Sequence, residues 1–508
     1  MTLQDTTVTS DDGVALWIYG GIANVNLTNS TLSGGSGAIA LNTYLSAGGA
    51  LSNQYTDRLL IQGSASGTTT LHIKPTTGSP GALTSPSGVI TNSEGISVVQ
   101  VAGASTFNAF SLSGGYVVAS NSPYEYRIYA YGPGSAHGTA DPTQNLVGTG
   151  AGYWDYRLQS AYVSPGGGVD PEEPGNPGGG VDEPVQPDAR REVAPQVASY
   201  LSAPAAFLQA GMTDIDSLHR RLGEVRDDRI LGRDRGPGEM FMRGYGGSFK
   251  YRSNQSFQAF GYDMNADYGA IQIGGNLFKH FTDNGTWRFG AAGSMGWLHY
   301  EPTAIDGPST TRASVYRLYG YGTYQSQQGW YVDGIASVGW FNGRTTTEAR
   351  GDVAPMRGNS YAESIEAGYP LALAYGMNLE PQLQFVGQHL GFDNVTDADG
   401  LSVNIGSQNQ FTGRLGVRLT RPFDVSTGRI TPYFGFDVIH AFVGGTSVQV
   451  SDAMFQTGKY GDSMMFSLGV NSVQGASFSL YGRVSYQKSF GTGGMRGVLV
   501  NVGAKYAF

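Results

Sequence analysis

The sequence predicts an all-β chain whose C-terminal half is a membrane-spanning antiparallel β-barrel of about twelve strands. Two observations support this prediction. The 508 residues include 77 Gly and 30 Tyr but only 14% charged residues, a balance that favours strands and turns over helix bundles. In addition, apolar and polar side chains alternate in segments of about ten residues from residue 238 to the last residue.

The last strand shows this alternation most simply. Successive side chains of a strand point to opposite faces, so Asn501, Gly503 and Lys505 share the polar face. A soluble sandwich can alternate in the same way, but it rarely ends on an exposed aromatic residue. The pattern resembles the C-terminal assembly signal of bacterial outer-membrane barrels. The residues that form this predicted signal are Val500, Val502, Ala504, Tyr506 and Phe508.

Earlier strands repeat the pattern and place charges on the opposite face. Trp287 and Trp297 lie at the two ends of one face with smaller residues between them, as expected where rings meet two lipid interfaces. Unpaired charges are costly in a dry core, whereas a hydrated pore tolerates them. The charges that we predict to face the lumen are Arg243, Arg288, Arg317, Asp333, Asp437, Arg483 and Lys505.

Connection lengths predict the orientation of the barrel. Short connections are expected at 282–285, 326–329, 376–378 and 474–476, and long ones at 343–359, 392–408 and 443–459. Outer-membrane barrels keep short turns in the periplasm and long loops outside. An even number of strands then leaves both barrel ends in the periplasm, although the predicted turn at 421–429 is longer than this rule prefers.

The N-terminal region contains an approximate repeat with an offset of 24 residues. It aligns Leu3 with Leu27, Thr7 with Thr31, Val8 with Leu32 and Gly13 with Gly37. This offset suits one coil of a parallel β-helix, in which short strands stack on their counterparts. Two copies also leave open an accidental similarity among Thr-, Ser- and Gly-rich strands.

The following segment resembles a known family. The run SNQYTDRLLIQGSASGTTTLHI at 52–73, followed by ISVVQV and closing at YWDYRLQ, is similar to the pertactin-like junction of autotransporters. The resemblance implies the C-terminal end of a right-handed parallel β-helix, with a cap that helps the exported passenger to fold. It also implies a flexible linker and a helix that threads the barrel pore.

Composition predicts where these parts meet. Residues 164–188 are rich in Pro and Gly and contain GGGVD twice, which predicts a flexible spacer. Because Pro195 and Pro204 disfavour one continuous helix, we expect the main helix over 204–225, with Ser202 as its N-cap. The predicted domains are a passenger fragment with its cap (1–163), a linker (164–188), a threading helix segment (189–236) and the translocator barrel (237–508).

The resemblance predicts an outer-membrane translocator that secretes and displays its own passenger, which could be an adhesin or virulence factor. The alternative is a porin-like channel with a β-rich appendage, and a third possibility is a secreted β-rich adhesin or enzyme. Expected partners are outer-membrane lipid, the barrel-assembly machinery, periplasmic chaperones and host surface ligands. A net charge of −9 disfavours nucleic acid, and we expect a monomer. The first residues lack the pattern of a signal peptide, so we expect a piece of a longer chain.

The sequence marks no enzyme site and no cofactor. It contains neither a G-x-S-x-G elbow nor a G-x-x-x-x-G-K-S/T loop, its histidines are scattered, and it has no cysteine. Some members of the similar family cut their own linker inside the pore, and Asp214 is a weak candidate for that reaction. The tripeptide Arg350-Gly351-Asp352 falls in an expected external loop, where it could bind an integrin or arise by chance.

Overall fold

The computed structural model describes residues 2–4, 7–9, 12–17, 24–28, 31–33, 36–148, 152–165, 167–168, 183–185, 187–230, 238–426, 428–474 and 477–508. Side chains are described from residue 39 onwards, apart from those of residues 167–168, 183–184, 221 and 223–230.

Short strands make up the region before the helix. In chain order they are β1 (Thr2–Gln4), β2 (Thr7–Thr9), β3 (Asp12–Trp17), β4 (Asn24–Thr28), β5 (Thr31–Ser33), β6 (Ser36–Thr43), β7 (Arg58–Ile61), β8 (Ala65–Ser66), β9 (Thr69–Pro75), β10 (Val89–Ile90), β11 (Ile96–Val101), β12 (Phe110–Leu112), β13 (Val117–Ala119), β14 (Ser122–Tyr131), β15 (Trp154–Ser160), β16 (Tyr162–Ser164), β17 (Gly167–Gly168), β18 (Glu183–Pro184) and β19 (Arg190–Arg191). Short 3₁₀ turns lie at Leu51–Asn53, Ser113–Gly115 and Pro142–Gln144.

The first twelve strands, apart from β10, form three parallel stacks, β1-β4-β7-β11, β2-β5-β8 and β3-β6-β9-β12. The register of β1, β2 and β3 on the next coil pairs Leu3 with Leu27, Thr7 with Thr31 and Gly13 with Gly37. These pairs are the ones that the 24-residue repeat aligned. Stacking of this kind is compatible with a parallel β-helix, and its right hand remains a prediction.

The parallel stacking ends at β11, which pairs antiparallel with β15, followed by β14 and β13. We call residues 58–164 the cap. The residues that flank the predicted spacer lie side by side, because Val163 pairs with Arg190 and Tyr162 with Arg191. Most of the spacer itself, 164–188, lies outside the described residues. The segment 190–194 therefore joins the cap as an added strand, and α1 (Gln196–Ile230) follows it directly.

The expected helix start at Pro204 was wrong, as was the expected N-cap at Ser202, because α1 is continuous and contains Pro204. Pro204 removes the donor for the carbonyl of residue 200, at a propensity cost of about 3 kcal/mol. Tyr300 of the surrounding wall donates its hydroxyl at 3.1 Å to the carbonyl of Ser199, the residue that precedes Tyr200. Burial of the helix inside the barrel outweighs its local propensity.

After the helix, the chain forms long strands and short strands in their connections. In order these are β20 (Glu239–Arg252), β21 (Asp263–Thr282), β22 (Gly285–Thr303), β23 (Ser309–Ser326), β24 (Tyr331–Thr347), β25 (Gly351–Gly368), β26 (Leu371–Ala372), β27 (Asn378–Phe392), β28 (Val395–Thr396), β29 (Ser402–Asn404), β30 (Ser407–Thr420), β31 (Phe423–Val425), β32 (Gly428–Ala441), β33 (Ser447–Val450), β34 (Ala453–Gln456), β35 (Asp462–Gln474), β36 (Phe478–Phe490) and β37 (Gly494–Ala507). A 3₁₀ turn at Ala374–Gly376 lies between β26 and β27.

The twelve long strands form one closed antiparallel barrel, as the sequence predicted. The order is β20 to β25, then β27, β30, β32, β35, β36 and β37, and the last strand pairs with β20. Pairing of β25 with β27 completes the ring. A closed barrel satisfies every backbone group without an edge, which a strand in lipid requires.

Tyrosine and glycine pack against each other across neighbouring strands on the inner face. A Cβ added to Gly296 would lie 2.4 Å from the hydroxyl of Tyr268, and one on Gly469 would lie 2.3 Å from the ring of Tyr433. A larger residue at either glycine would displace the tyrosine. This packing accounts for part of the Gly- and Tyr-rich composition.

Connections are mostly longer on the long-loop side, but several differ from expectation. The connection from β25 to β27 on the short-turn side spans residues 369–377, not the expected 376–378, and it contains β26. The connection from β36 to β37 on the long-loop side spans only residues 491–493. The expected long loop at 343–359 is mostly strand, because β24 continues to Thr347 and β25 begins at Gly351. The inward alternation continues through Thr345, Ala354 and Met356, which are buried. The strands therefore extend past the aromatic girdle on the long-loop side.

Candidate functional site: the barrel lumen and its outer mouth

The helix α1 fills the lumen. Its side chains from Val197 to Leu218 are mostly buried, and it packs against β20 to β25 and β27. Near the long-loop end, Phe207 lies 4.2 Å from Phe341 and 5.5 Å from Phe392 between ring centroids. A cavity between the helix and the wall beside Ser217 measures about 10 Å³, close to the space of one water.

Asp214 lies at the centre of a polar cluster halfway along the helix. Its Oδ1 accepts the hydroxyls of Tyr245 at 2.7 Å and Tyr268 at 2.8 Å, and its Oδ2 lies 2.8 Å from Nε of Arg317. All of these side chains are buried. With both oxygens engaged, this carboxylate holds the helix against the wall and is poorly placed to attack a peptide carbonyl.

Two residues further along the helix, Asp216 begins a second cluster that joins helix and wall. Asp216 lies 2.6 Å from Arg483 and 3.1 Å from Arg220 of the helix. Arg220 continues to Asp437 at 2.9 Å, and Arg414 links Asp437 at 2.6 Å to Glu366. Charges of alternating sign thus run around the helix, and each offsets the desolvation of its neighbours.

The remaining predicted lumen charges are also buried. Arg243 donates to the carbonyl and, at 3.1 Å, to the hydroxyl of Ser217, and Arg288 donates to Gln325 at 3.4 Å. Lys505 lies 3.9 Å from Glu239 at the short-turn end. Asp333 of β24 lies directly opposite Glu366 of β25.

The predicted lumen charges did not include Asp216, Arg220, Glu366 or Arg414. The alternation of β25 and β30 places Glu366 and Arg414 on the inward face, so the same rule could have identified them. The helix residues gave no such signal, because a stripe of charges on a helix is equally expected on a solvated surface.

One group of lumen residues has the composition of a metal site. Possible ligand atoms of His219, Asp333 and Glu366 lie within 4.8 Å of one another. However, Glu366 already accepts the hydroxyl of Tyr331 at 2.9 Å and pairs with Arg414 at 2.5 Å. This carboxylate is committed to the ion-pair network, so the cluster fits a structural role better than a metal.

The outer mouth of the barrel forms a seat for the cap. Arg350, between β24 and β25, pairs with Asp399 at 2.8 Å and donates to the carbonyls of Ser113 at 2.8 Å and Tyr116 at 3.0 Å. The Tyr116 hydroxyl donates to the other oxygen of Asp399 at 2.8 Å. Elsewhere in the seat, Ser451 donates to the carbonyl of Ser120 at 2.7 Å. Arg350 is thus engaged with the cap, which disfavours its use as an integrin ligand.

A second contact joins the mouth to the segment that enters the lumen. Arg190 donates to both carboxylate oxygens of Asp306 at 2.6 Å, and its guanidinium lies 4.2 Å from the ring of Phe260. Nearby, Arg127 lies 2.6 Å from Glu192. Burial raises the pKa of Glu192 to about 8, because the opposing effect of Arg127 is only partial and Asp306 adds to the rise.

The predicted terminal signal lies on the outer wall. Val500, Val502, Tyr506 and Phe508 are exposed, and Ala504 is half-exposed. The amide of Phe508 donates to the carbonyl of Gly238 at 3.1 Å, beside the start of β20. The last residue therefore closes the barrel seam at the short-turn end.

Comparison with known proteins assigns both parts of the chain. The family model of the autotransporter β-domain matches residues 240–485, which include most of the barrel. The model of the type 1 autochaperone domain matches residues 20–128, which reach into the cap. The chain belongs to the autotransporters.

Curated relatives agree with this assignment at low identity. The adhesin BmaC autotransporter of Brucella suis is 25% identical over 494 residues, or 91% of this chain but 13% of that protein. The pertactin autotransporter of Bordetella bronchiseptica is 24% identical over 60% of this chain and 32% of its own length. This autotransporter chain thus spans less than a third of each of these relatives.

A solved structure is also similar, the transport unit of the autotransporter AIDA-I from Escherichia coli. It covers 56% of this chain and 98% of that one, with 20% identity and a TM-score of 0.48. The strand pairings and the family match define the barrel independently of this superposition.

The autotransporter barrel lies in the outer membrane, with the passenger side exposed at the cell surface. Its lipid-facing wall carries aromatic girdles, including Trp287, Tyr324 and Trp330 at the short-turn end, with ring centroids 4.7 and 5.1 Å apart. Tyr316 and Trp340 lie 6.1 Å apart nearer the long loops. Among the described residues, no helix has the length and apolarity needed to span a bilayer.

Proposed function

We propose that the barrel translocates its own N-terminal passenger and then holds it at the cell surface. The path of the chain is the observation that supports this most directly. The cap lies at the long-loop mouth, and α1 runs through the lumen. At the opposite end β20 begins at Glu239, one residue after Gly238, which bonds the C-terminal residue. A chain that enters from the periplasm reaches this arrangement if everything before the helix passes through the pore.

The polar contacts of the helix explain why it stays in the lumen after export. Asp214 and Asp216 are anchored to Arg317 and Arg483 of the wall, and the pairs are buried. Removing one partner of a buried pair typically costs about 3–5 kcal/mol. The chain marks no nucleotide site, so stacking of β-helical coils outside is the expected source of direction.

The expected activity of the whole passenger is adhesion, since the Brucella relative is described as an adhesin. We propose no enzymatic activity for this chain and an uncut passenger, because Asp214 is held by three partners. The C-terminal strand is expected to engage the barrel-assembly machinery and periplasmic chaperones, host surface ligands are expected to bind the passenger, and the chain is expected to act as a monomer.

The test is protease treatment of intact cells that express the chain. If the proposal holds, external protease degrades the cap, and the barrel stays protected and shifts on a gel only after boiling. Recovery of the chain as a soluble protein would contradict the proposal. So would a cap that becomes accessible only after the outer membrane is opened.

The alternative of a porin-like channel makes a different prediction. A filled lumen is expected to give low conductance in planar bilayers, whereas deletion of residues 205–225 should raise it strongly. A large conductance that this deletion leaves unchanged would support the porin and contradict the translocator.

A further inference from the structure

The lipid-facing wall contains a concavity of about 940 Å³ on its long-loop half. It extends over six neighbouring strands, β37 and β20 to β24, and its volume falls within the roughly 300–1,000 Å³ of ligand pockets. Strand register places its central outward positions in one row across these strands. That row consists of Val500, Gly246, Gly269, Trp297, Ser314 and Asn342.

Glycines form the floor of the concavity. It is deep because the large side chains of these strands point to the inner face of the wall. A Cβ added to Gly244 would meet no atom within 4 Å, and one on Gly269 would meet only the Tyr245 carbonyl oxygen at 4.0 Å. On the inner face of the same strands, Tyr245 and Tyr268 reach the carboxylate of Asp214. At this position the wall therefore carries tyrosine side chains on its inner face and glycines on its outer face.

The concavity lies at the boundary between the apolar and polar parts of the wall. The next outward row towards the short turns is mostly apolar and includes Ile271, Met295 and Trp340. The next row towards the loops is mostly polar and includes Asp267, His299 and Arg312. Because rings such as Trp297 mark the membrane interface, the site opens at the level where outer-leaflet lipids change from chain to headgroup.

Among the described residues, Arg312 is a cationic side chain of this site that has no polar partner. It is exposed, and no hydrogen bond or ion pair joins it to another residue in the described parts of the chain. The two neighbouring outward arginines are engaged, Arg344 with Asp352 and Arg357 with Asn342. His299 is held 3.1 Å from Glu301 and 3.9 Å from Asp267.

We propose that the concavity binds an anionic, phosphate-bearing acylated lipid of the outer leaflet, with an acyl chain along the glycine floor and a phosphate at Arg312. In a membrane, a wall depression that stayed empty would lose dispersion contacts on one side, and an acyl chain restores them. Phosphate and guanidinium form strong charge-assisted hydrogen bonds. The site requires only that the barrel lies in the outer membrane, so it is independent of export.

Native mass spectrometry of the full chain in mild detergent tests the site with two probes, dioleoyl phosphatidic acid and dioleoylglycerol. In the variant Gly244→Leu/Gly269→Leu, two leucine side chains occupy the open space above the floor. We expect this variant to bind both lipids about tenfold more weakly, or weaker still. The matched control is Gly320→Leu/Gly334→Leu on the same wall, where an added Cβ also meets nothing within 4 Å. The boiling-dependent gel shift reports whether each variant is folded.

Equal binding by wild type, filled variant and control would overturn the proposal, because it would show nonspecific coating of the wall. Arg312→Gln provides a test that does not touch the floor. It should abolish the preference for phosphatidic acid and leave dioleoylglycerol binding unchanged, whereas a retained preference would refute the headgroup contact. Surface display of the passenger should be normal in all of these variants, which separates this test from that of export.

Discussion

At the scale of single residues, Arg350 provides a direct test of the seat for the cap. Arg350→Ala removes two bonds to cap carbonyls and the pair with Asp399, each a charge-assisted contact of about 1.5–3 kcal/mol. We expect faster hydrogen exchange in the cap strand β13 and its flanking residues. Arg344→Ala is the matched control, because its pair with Asp352 is exposed. Equal effects of both variants would contradict a specific seat.

Asp214 tests whether lumen charges anchor the helix. Asp214→Asn leaves Arg317 buried without its counter-charge, and we expect a loss of about 3–5 kcal/mol. The measurement is the temperature at which the folded barrel band disappears from an unboiled gel. Asp214→Asn/Arg317→Met removes the unpaired charge and keeps an amide oxygen that can accept the Tyr245 and Tyr268 hydroxyls, so it should recover most of the loss. A double variant as unstable as the single one would contradict the anchoring. Passenger length should stay unchanged, because no cleavage depends on Asp214.

The raised pKa of Glu192 predicts that the stability of the joint between cap and helix depends on pH. Its pKa is about 8 in the folded protein against 4.5 for the free side chain, so the folded state binds more protons between these values. The stability of the joint should therefore fall as pH rises from about 4.5 to about 8. The protection factors of the amides in 190–194, which correct for base-catalysed intrinsic exchange, should be larger at pH 6 than at pH 9. Glu192→Gln should reduce this difference, and Glu125 of the same joint, whose pKa burial also raises, should supply the remainder. The exposed Glu348→Gln should leave the difference unchanged.

At the scale of elements, the terminal strand tests the assembly signal. Deletion of Phe508 removes an exposed ring and the bonds between its backbone and Gly238 at the seam. We expect a lower amount of the chain in the outer membrane and unchanged β-helix stacking in what is exported. The control is Phe490→Ala, which removes an exposed ring from the long-loop end of β36 and leaves the strand register unchanged. Unchanged surface display after loss of Phe508 would contradict the signal.

The elements also show what local sequence could predict. The barrel strands were predictable because lipid on one side and polar contacts on the other enforce a period of two along each strand. The start of α1 was not predictable in this way. Proline interrupts a helix only where tertiary packing does not compensate for the lost hydrogen-bond donor, and Pro204 lies inside α1. The loop at 343–359 was misjudged because its polar residues continue the strand alternation beyond the membrane.

At the scale of the whole molecule, the lumen charges were predictable one by one and their partners were not. Arg243, Arg317 and Arg483 follow from strand alternation, but their contacts lie on a helix whose rotation in the pore no periodicity specifies. The seat for the cap was equally invisible, since Arg350 and Tyr116 are more than two hundred residues apart in the chain. Long-range contacts of this kind arise only from the closed barrel and the threaded path.

The central claim is that the cap lies outside the cell while the short turns lie in the periplasm. The chain has no cysteine, so Ser87→Cys in the cap and Gln328→Cys in a short turn are clean single reporters, both at exposed positions. Intact cells are treated with a membrane-impermeant maleimide. The account predicts labelling at position 87 in intact cells and at position 328 only after the outer membrane is permeabilised. Labelling at 328 in intact cells, or at 87 only after permeabilisation, would contradict it.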